Sequence, residues 1–101
     1  MGFQIILSRL AETDLDDVIA FISTDNPAAA IRVAEAIVAH LRVLEKFPRF
    51  GRVVPEFDRD NLREIIHGAY RVIYQINETD RRIEVARIWH AARGTPEMPS
   101  H

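Results

Sequence analysis

YRVIYQIN, residues 70–77, and RIEVARIWH, residues 82–90, are two β-branched and aromatic runs separated by Glu78-Thr79-Asp80-Arg81. Such runs around a short polar turn predict an antiparallel β-hairpin. A four-residue loop pairs Asn77 with Arg82, and the rest of the register follows by counting. Tyr70, Val72, Tyr74 and Ile76 then share a face with Ile83, Val85, Arg87 and Trp89. Arg71, Ile73 and Gln75 share the other with Glu84, Ala86, Ile88 and His90. The first face is the more apolar and should receive helices, with Tyr70 and Trp89 as cross-strand neighbours beneath them. Arg71 falls on the open face, opposite Ile88 and diagonal to His90. An arginine beside a histidine suits a phosphate or a partner's carboxylate. The plainer alternative pairs Arg71 with Glu84 or a loop acid and leaves His90 as a satisfied strand-end residue.

Working outward, Leu62 to His67 predicts a strand set off by Gly68, and Arg49 to Asn61 reads as a loop. At the N-terminus, Phe3 to Leu7 forms a short apolar strand. Ser8 is placed to cap a helix ending near Ser23 or Thr24, because its hydroxyl accepts from first-turn amides. Ala11, Leu15, Val18, Ile19 and Ile22 form its apolar stripe. The acids Glu12, Asp14, Asp16 and Asp17 point in different directions and read as a solvated face and helix start. Asn26-Pro27 restarts the chain as a second helix from about Pro27 to Lys46, with Ile31, Ala34, Ile37, Val38, Leu41 and Leu44 inward. Phe47-Pro48 stops it. The resulting order is β-α-α-β-β-β: an α+β domain with a helical hairpin on a mainly antiparallel, four-stranded sheet. One domain over residues 1–93 is expected, followed by a disordered tail at 94–101.

The 101 residues contain no cysteine, which excludes disulfides, thiolate metal sites and a cysteine nucleophile. The net charge of −2 argues against a charge-driven nucleic-acid binder, although 12 of the 13 basic residues are arginine and only Lys46 is lysine. No apolar run approaches the ~18 residues of a membrane span, so a cytoplasmic protein with no membrane association is the expectation. His40, His67, His90 and His101 lack metal-ligand spacing, Ser8 and Ser23 lack nucleophile-elbow glycines, and no phosphate loop exists. No metal and no cofactor are expected.

A set of motifs runs from about residue 3 to residue 93. It comprises Ser8-x-x-Ala11-x-x-Asp14-Leu15, Asn26-Pro27-Ala28-Ala29-Ala30, Phe47-Pro48-Arg49-Phe50-Gly51-Arg52, Pro55-Glu56, Leu62-Arg63, Gly68-Ala69-Tyr70-Arg71-Val72-Ile73-Tyr74 and Ile88-Trp89-His90-Ala91-Ala92-Arg93. In order and spacing it resembles the ParE branch of the RelE/ParE toxin superfamily, whose element order is also β-α-α-β-β-β. The resemblance implies a type II toxin bound and silenced by a cognate antitoxin protein. The antitoxin's C-terminal segment wraps the toxin and its N-terminal part binds operator DNA, so sequence-specific DNA binding by this chain is not expected. ParE-like members act on DNA gyrase; RelE-like members cut mRNA on the ribosome, with the arginine of the Tyr-Arg pair on the scissile phosphate.

The single lysine, the charge balance of Arg49 to Arg63 and the lack of a tyrosine after Tyr74 favour gyrase inhibition. In that reading Arg63, Arg71, His90 and Arg93 are the target-binding candidates and no residue is catalytic. In the nuclease alternative Arg71, His90 and Arg93 would be catalytic. A non-toxic, antitoxin-binding relative is the third reading. The helical stripes nominate Leu15, Ile19, Ile22, Ile37 and Leu41 for antitoxin contact, together with the unpaired edge of the first strand. Family members often end His-Gly-x-Arg-Asp; here the chain reads His90-Ala91-Ala92-Arg93-Gly94, without the acid.

Overall fold

The computed structural model describes residues 2–98. Strand β1 (Gln4–Leu7) leads into helix α1 (Arg9–Ser23), then α2 (Pro27–Leu41) and a 3₁₀ turn at Arg42–Glu45. Strands β2 (Arg52–Val53), β3 (Leu62–His67), β4 (Tyr70–Asn77) and β5 (Arg82–His90) follow, with a last 3₁₀ turn at Ala91–Arg93. Both helices start where their caps predict: Ser8 Oγ accepts from the Ala11 amide at 3.0 Å, and Asn26 Oδ1 accepts from Ala29 at 3.0 Å. The second helix is shorter than expected. Its α-helical part stops at Leu41, and the chain tightens into the 3₁₀ turn before Phe47-Pro48.

The sheet has five strands in the order β1-β5-β4-β3-β2, so the α+β hairpin-on-sheet architecture holds and gains a strand. The addition is β2, two residues inside the segment read as loop, pairing Arg52 with Glu64 and Val53 with Arg63. β1 pairs with β5 in parallel; the other pairs are antiparallel. Among the described residues no helix is long and apolar enough to cross a membrane.

The β4–β5 register begins as counted, with Asn77 opposite Arg82, and holds as far as Tyr74 opposite Val85. It then slips by one, because Ile73 faces Arg87 and Ala86 is left without a partner. Such a bulge transfers every later residue of β5 to the other face. Ile88 therefore joins Val72, Tyr74, Ile76, Ile83 and Val85 beneath the helices. Arg87 and Trp89 leave that face, and Trp89 sits opposite Arg71 rather than beside Tyr70. Tyr70 instead faces His90, their rings edge-on with centroids 5.3 Å apart. The expected Arg71–His90 pair on one face is thereby undone.

On α2 and the 3₁₀ turn that continues it, the buried side runs through Ala30, Val33, Ile37, Leu41 and Leu44, a stripe rotated from the expected one. Ile31 and Val38 consequently point outward, 60% and 41% exposed. The second sheet face is not open. Val54, Leu62 and Ile73 form a smaller core there, joined by Phe57 and by Met98. Residues 94–98, expected to be disordered, lie against the sheet: Arg87 donates to the Glu97 carbonyl at 2.7 Å and Trp89 Nε1 to the Gly94 carbonyl at 3.0 Å. The remainder of that predicted tail, 99–101, lies outside the described residues.

Candidate functional site

Arg71 and its neighbours form an ion cluster on the face away from the helices. The two-residue turn Gly68-Ala69 sets His67 opposite Tyr70 and so Glu64 opposite Ile73, which puts Glu64 diagonal to Arg71. Arg71 Nε donates to Glu64 at 2.6 Å, while its two terminal nitrogens grip Glu56 at 2.6 and 2.7 Å. Arg52 reaches the second oxygen of Glu64 at 2.7 Å. Arg71 is only 7% exposed and Glu64 is 1% exposed. The loop-acid alternative thus describes Arg71 correctly through Glu56, and a strand acid, Glu64, completes the pairing instead of Glu84. Arg71 is withdrawn from any target-contacting surface.

The Arg71 guanidinium holds the Glu56 carboxyl at about 2, well below its ordinary value of 4.5, and the same hydrogen bonds raise Arg71. The sign of the linkage follows. Between pH about 4.5 and about 2 the unfolded chain protonates Glu56 while the folded chain does not, so stability is full above that window and is lost on acidification through it. Urea unfolding at pH 5 and pH 3 should show a steeper loss for the native chain than for Glu56→Gln. Solvent contact at Glu56 limits the difference to about 1–2 kcal/mol. Parallel pH profiles for the two proteins would contradict this.

Arg63 also has structural work. It donates to the Asp60 carbonyl at 2.9 Å, the Asp60 carboxylate at 2.8 Å and the Gly51 carbonyl at 3.0 Å, fastening the segment between β2 and β3. Arg49 completes that fastening with ion pairs to Asp60 and Glu78.

His90 and Arg93, in contrast, do meet. They border a cleft of about 290 Å³ between α1 and the end of β4–β5, with Asp17, Val18, Phe21, Tyr70 and Ile88. Phe21 is 77% exposed at its rim. The Arg93 guanidinium lies over the Trp89 ring, 4.0 Å from its centroid. His90 Nδ1 accepts from the Ala92 amide at 3.1 Å, so the neutral ring carries its proton on Nε2 and presents a donor. A fixed cation, a donor and an aromatic rim equip this corner for binding.

Among the residues nominated for antitoxin contact, Ile37 is fully buried in the core and unavailable. Leu41 is nearly so, reaching only the floor of a cleft between α2 and β1. Leu15, Ile19 and Ile22 remain half-buried. Glu64 and Phe21 do not stand out in the sequence, and Glu56 and Tyr70 enter it only through the motifs and the hairpin face. Counting from the Gly68-Ala69 turn would have found Glu64, since an acid and an arginine on one face of neighbouring strands must meet.

The fold has known counterparts. The chromosomal ParDE toxin–antitoxin system from P. aeruginosa contains a chain that superposes with a TM-score of 0.71, at 17% identity over 88% of this chain and 96% of that one. The RelBE2 toxin–antitoxin complex from Mycobacterium tuberculosis gives 0.66, at 19% identity over 89% and 99%. In sequence, Toxin RelE1 of Caulobacter vibrioides is 29% identical over 90 residues, 89% of this chain and 95% of its own length. The sequence pattern described as the ParE toxin of the type II toxin–antitoxin system, parDE, matches residues 5–94. With nearly the whole folded domain inside that match, the chain belongs to the ParE toxin family of type II toxin–antitoxin systems.

Proposed function

We propose that this toxin acts by binding DNA gyrase, without cutting RNA, and that a cognate antitoxin neutralises it in the cytoplasm. The observation that carries the choice is the state of Arg71. In the nuclease reading this arginine must offer its guanidinium to a scissile phosphate. Here both of its hydrogen-bonding sides are taken by carboxylates at 2.6–2.7 Å, and Glu64 is buried behind it. A phosphate arriving at this position meets two negative charges and has to displace charge-assisted hydrogen bonds. His90, the other residue that would move protons, lies toward the helices across from Tyr70, away from Arg71. The groups are thus separated by the sheet itself, and acid–base help worth ~10²–10⁴-fold per group has no common centre.

A binder needs a complementary surface, and the cleft bounded by Phe21, Tyr70, His90 and Arg93 supplies one with an aromatic rim and an arginine, residue types that dominate interface energy. For the antitoxin, support comes from the two complexes whose toxins share this fold. Its docking surface is assigned to the exposed Ile31 and Val38 of α2 and the adjoining cleft lined by Ile5, Leu7, Arg42 and Glu45. The free edge of β1 extends this surface.

The test is direct. Purified chain should inhibit gyrase supercoiling and leave mRNA in translating ribosomes intact, and Arg93→Ala should weaken the inhibition about tenfold with little change in stability. Cleavage of ribosome-bound mRNA, lost in a folded Arg71→Lys variant, would replace this reading with the nuclease one.

A further inference from the structure

His40 on α2 and His67 at the end of β3 stand 27 residues apart in sequence and meet in space, Nδ1 to Nδ1, at 3.4 Å. Their ring centroids are 5.6 Å apart and their planes cross at 64°. Both side chains are half-buried, with the Phe50 ring edge-on to His40. Two neutral imidazoles facing in this way form one N–H···N bond only when their tautomers differ. At 3.4 Å the contact is longer than the ~2.7–3.2 Å usual for an N–H···O hydrogen bond.

The same separation suits a different occupant. Two imidazole nitrogens bound to one zinc ion at about 2.0–2.1 Å, at the tetrahedral angle, stand about 3.3–3.4 Å apart. We propose that His40 and His67 form a two-histidine site for a borderline divalent transition metal of the zinc and nickel class, held through both Nδ1 atoms. Each ring then carries its proton on Nε2, so both Nδ1 lone pairs are free for the ion after a small turn of each ring, without net loss of a proton from two neutral rings. Among the described residues no group of three or more potential ligands gathers anywhere, so water fills the remaining coordination positions and the affinity is moderate. The ion would staple α2 to β3 beside Phe50. No chain spacing signals this pair, because a helix and a strand from different parts of the sequence build it.

The experiment uses the untagged full chain with zinc chloride, then nickel chloride, as the only additions, in a non-chelating buffer at about pH 7.5. Calorimetry should give one saturable equivalent with micromolar affinity, and the melting temperature should rise with the metal. His40→Gln and His67→Gln should each weaken binding at least tenfold and abolish the thermal shift. Their metal-free circular dichroism and melting should match the native chain's, which separates lost ligation from lost fold. If either variant fails to fold, ¹⁵N NMR of the native chain's histidine rings decides: the two Nδ1 resonances should move together on metal addition. Absence of saturable binding overturns the proposal. So does binding that survives both substitutions, or a response confined to other histidines.

Discussion

Asp14→Ala should cost about 3–5 kcal/mol of folding free energy, among the largest effects of any single substitution in this chain. The Asp14 carboxylate accepts from Arg87 Nε and Nη2, both at 2.8 Å, and from the Ile88 backbone amide at 2.9 Å. All of this lies where β1 has ended and no longer covers the edge of β5. Asp14 and Arg87 are each less than a tenth exposed. Alanine leaves a buried guanidinium without its counterion and a buried amide without an acceptor, so the loss exceeds the net worth of the original bonds. Asp14→Asn keeps one acceptor for Ile88 and should fall between native and alanine. Urea unfolding at neutral pH measures all three. A loss below about 1 kcal/mol for the alanine variant would show that water reaches Arg87 and that the contact is peripheral.

Arg71→Ala should be comparably damaging, about 3–5 kcal/mol, for the mirror-image reason: it strands the Glu64 carboxylate in the sheet with only Arg52 as partner. Arg71→Lys retains the charge but cannot satisfy Glu56 and Glu64 together, because an ammonium lacks the planar fork. It should therefore lose about 1–2 kcal/mol and stay folded. The functional expectation separates stability from chemistry. Gyrase inhibition by Arg71→Lys should persist under conditions where the variant is folded, since the side chain is not presented to a target. Loss of inhibition in a demonstrably folded Arg71→Lys protein would return Arg71 to the binding surface.

These two residues also mark what the sequence discloses. Helix starts were legible because Ser8 and Asn26 act locally, each through one side-chain oxygen and an amide three residues on. The β4–β5 turn was legible because a four-residue polar loop fixes Asn77 against Arg82. The bulge at Ala86 was not. No glycine marks it, and its support is remote: Ser8 Oγ donates to the Ala86 carbonyl at 3.1 Å, and Asp14 holds the next two residues from α1. Contacts across more than 70 residues chose the register, and counting along the hairpin had no access to them. The site changes with the register. His90 and Trp89 exchanged faces, and the supposed anion pair with Arg71 vanished with them. On α2, Val33 and Ala30 beat Ile31 and Ala34 for the core, although both stripes satisfy helical spacing, because the pitch of α2 over the sheet selects between adjacent faces.

The parallel pairing of β1 with β5 has a temporal consequence. Gln4 is aligned with Arg82 and Leu7 with Val85, so the first strand to be synthesised finds its neighbour only after more than three-quarters of the chain has been made. Contacts of such long sequence separation close late, after the loop-closure entropy has been met. During translation the nascent toxin has a helical hairpin with no completed sheet to cover, and its N-terminal strand waits unpaired. The clefts and the Arg93 corner form only as the last quarter emerges from the ribosome. A truncated or stalled chain therefore carries neither the Arg93 corner nor the α2–β1 cleft, and both surfaces assemble together once β1 has docked on β5.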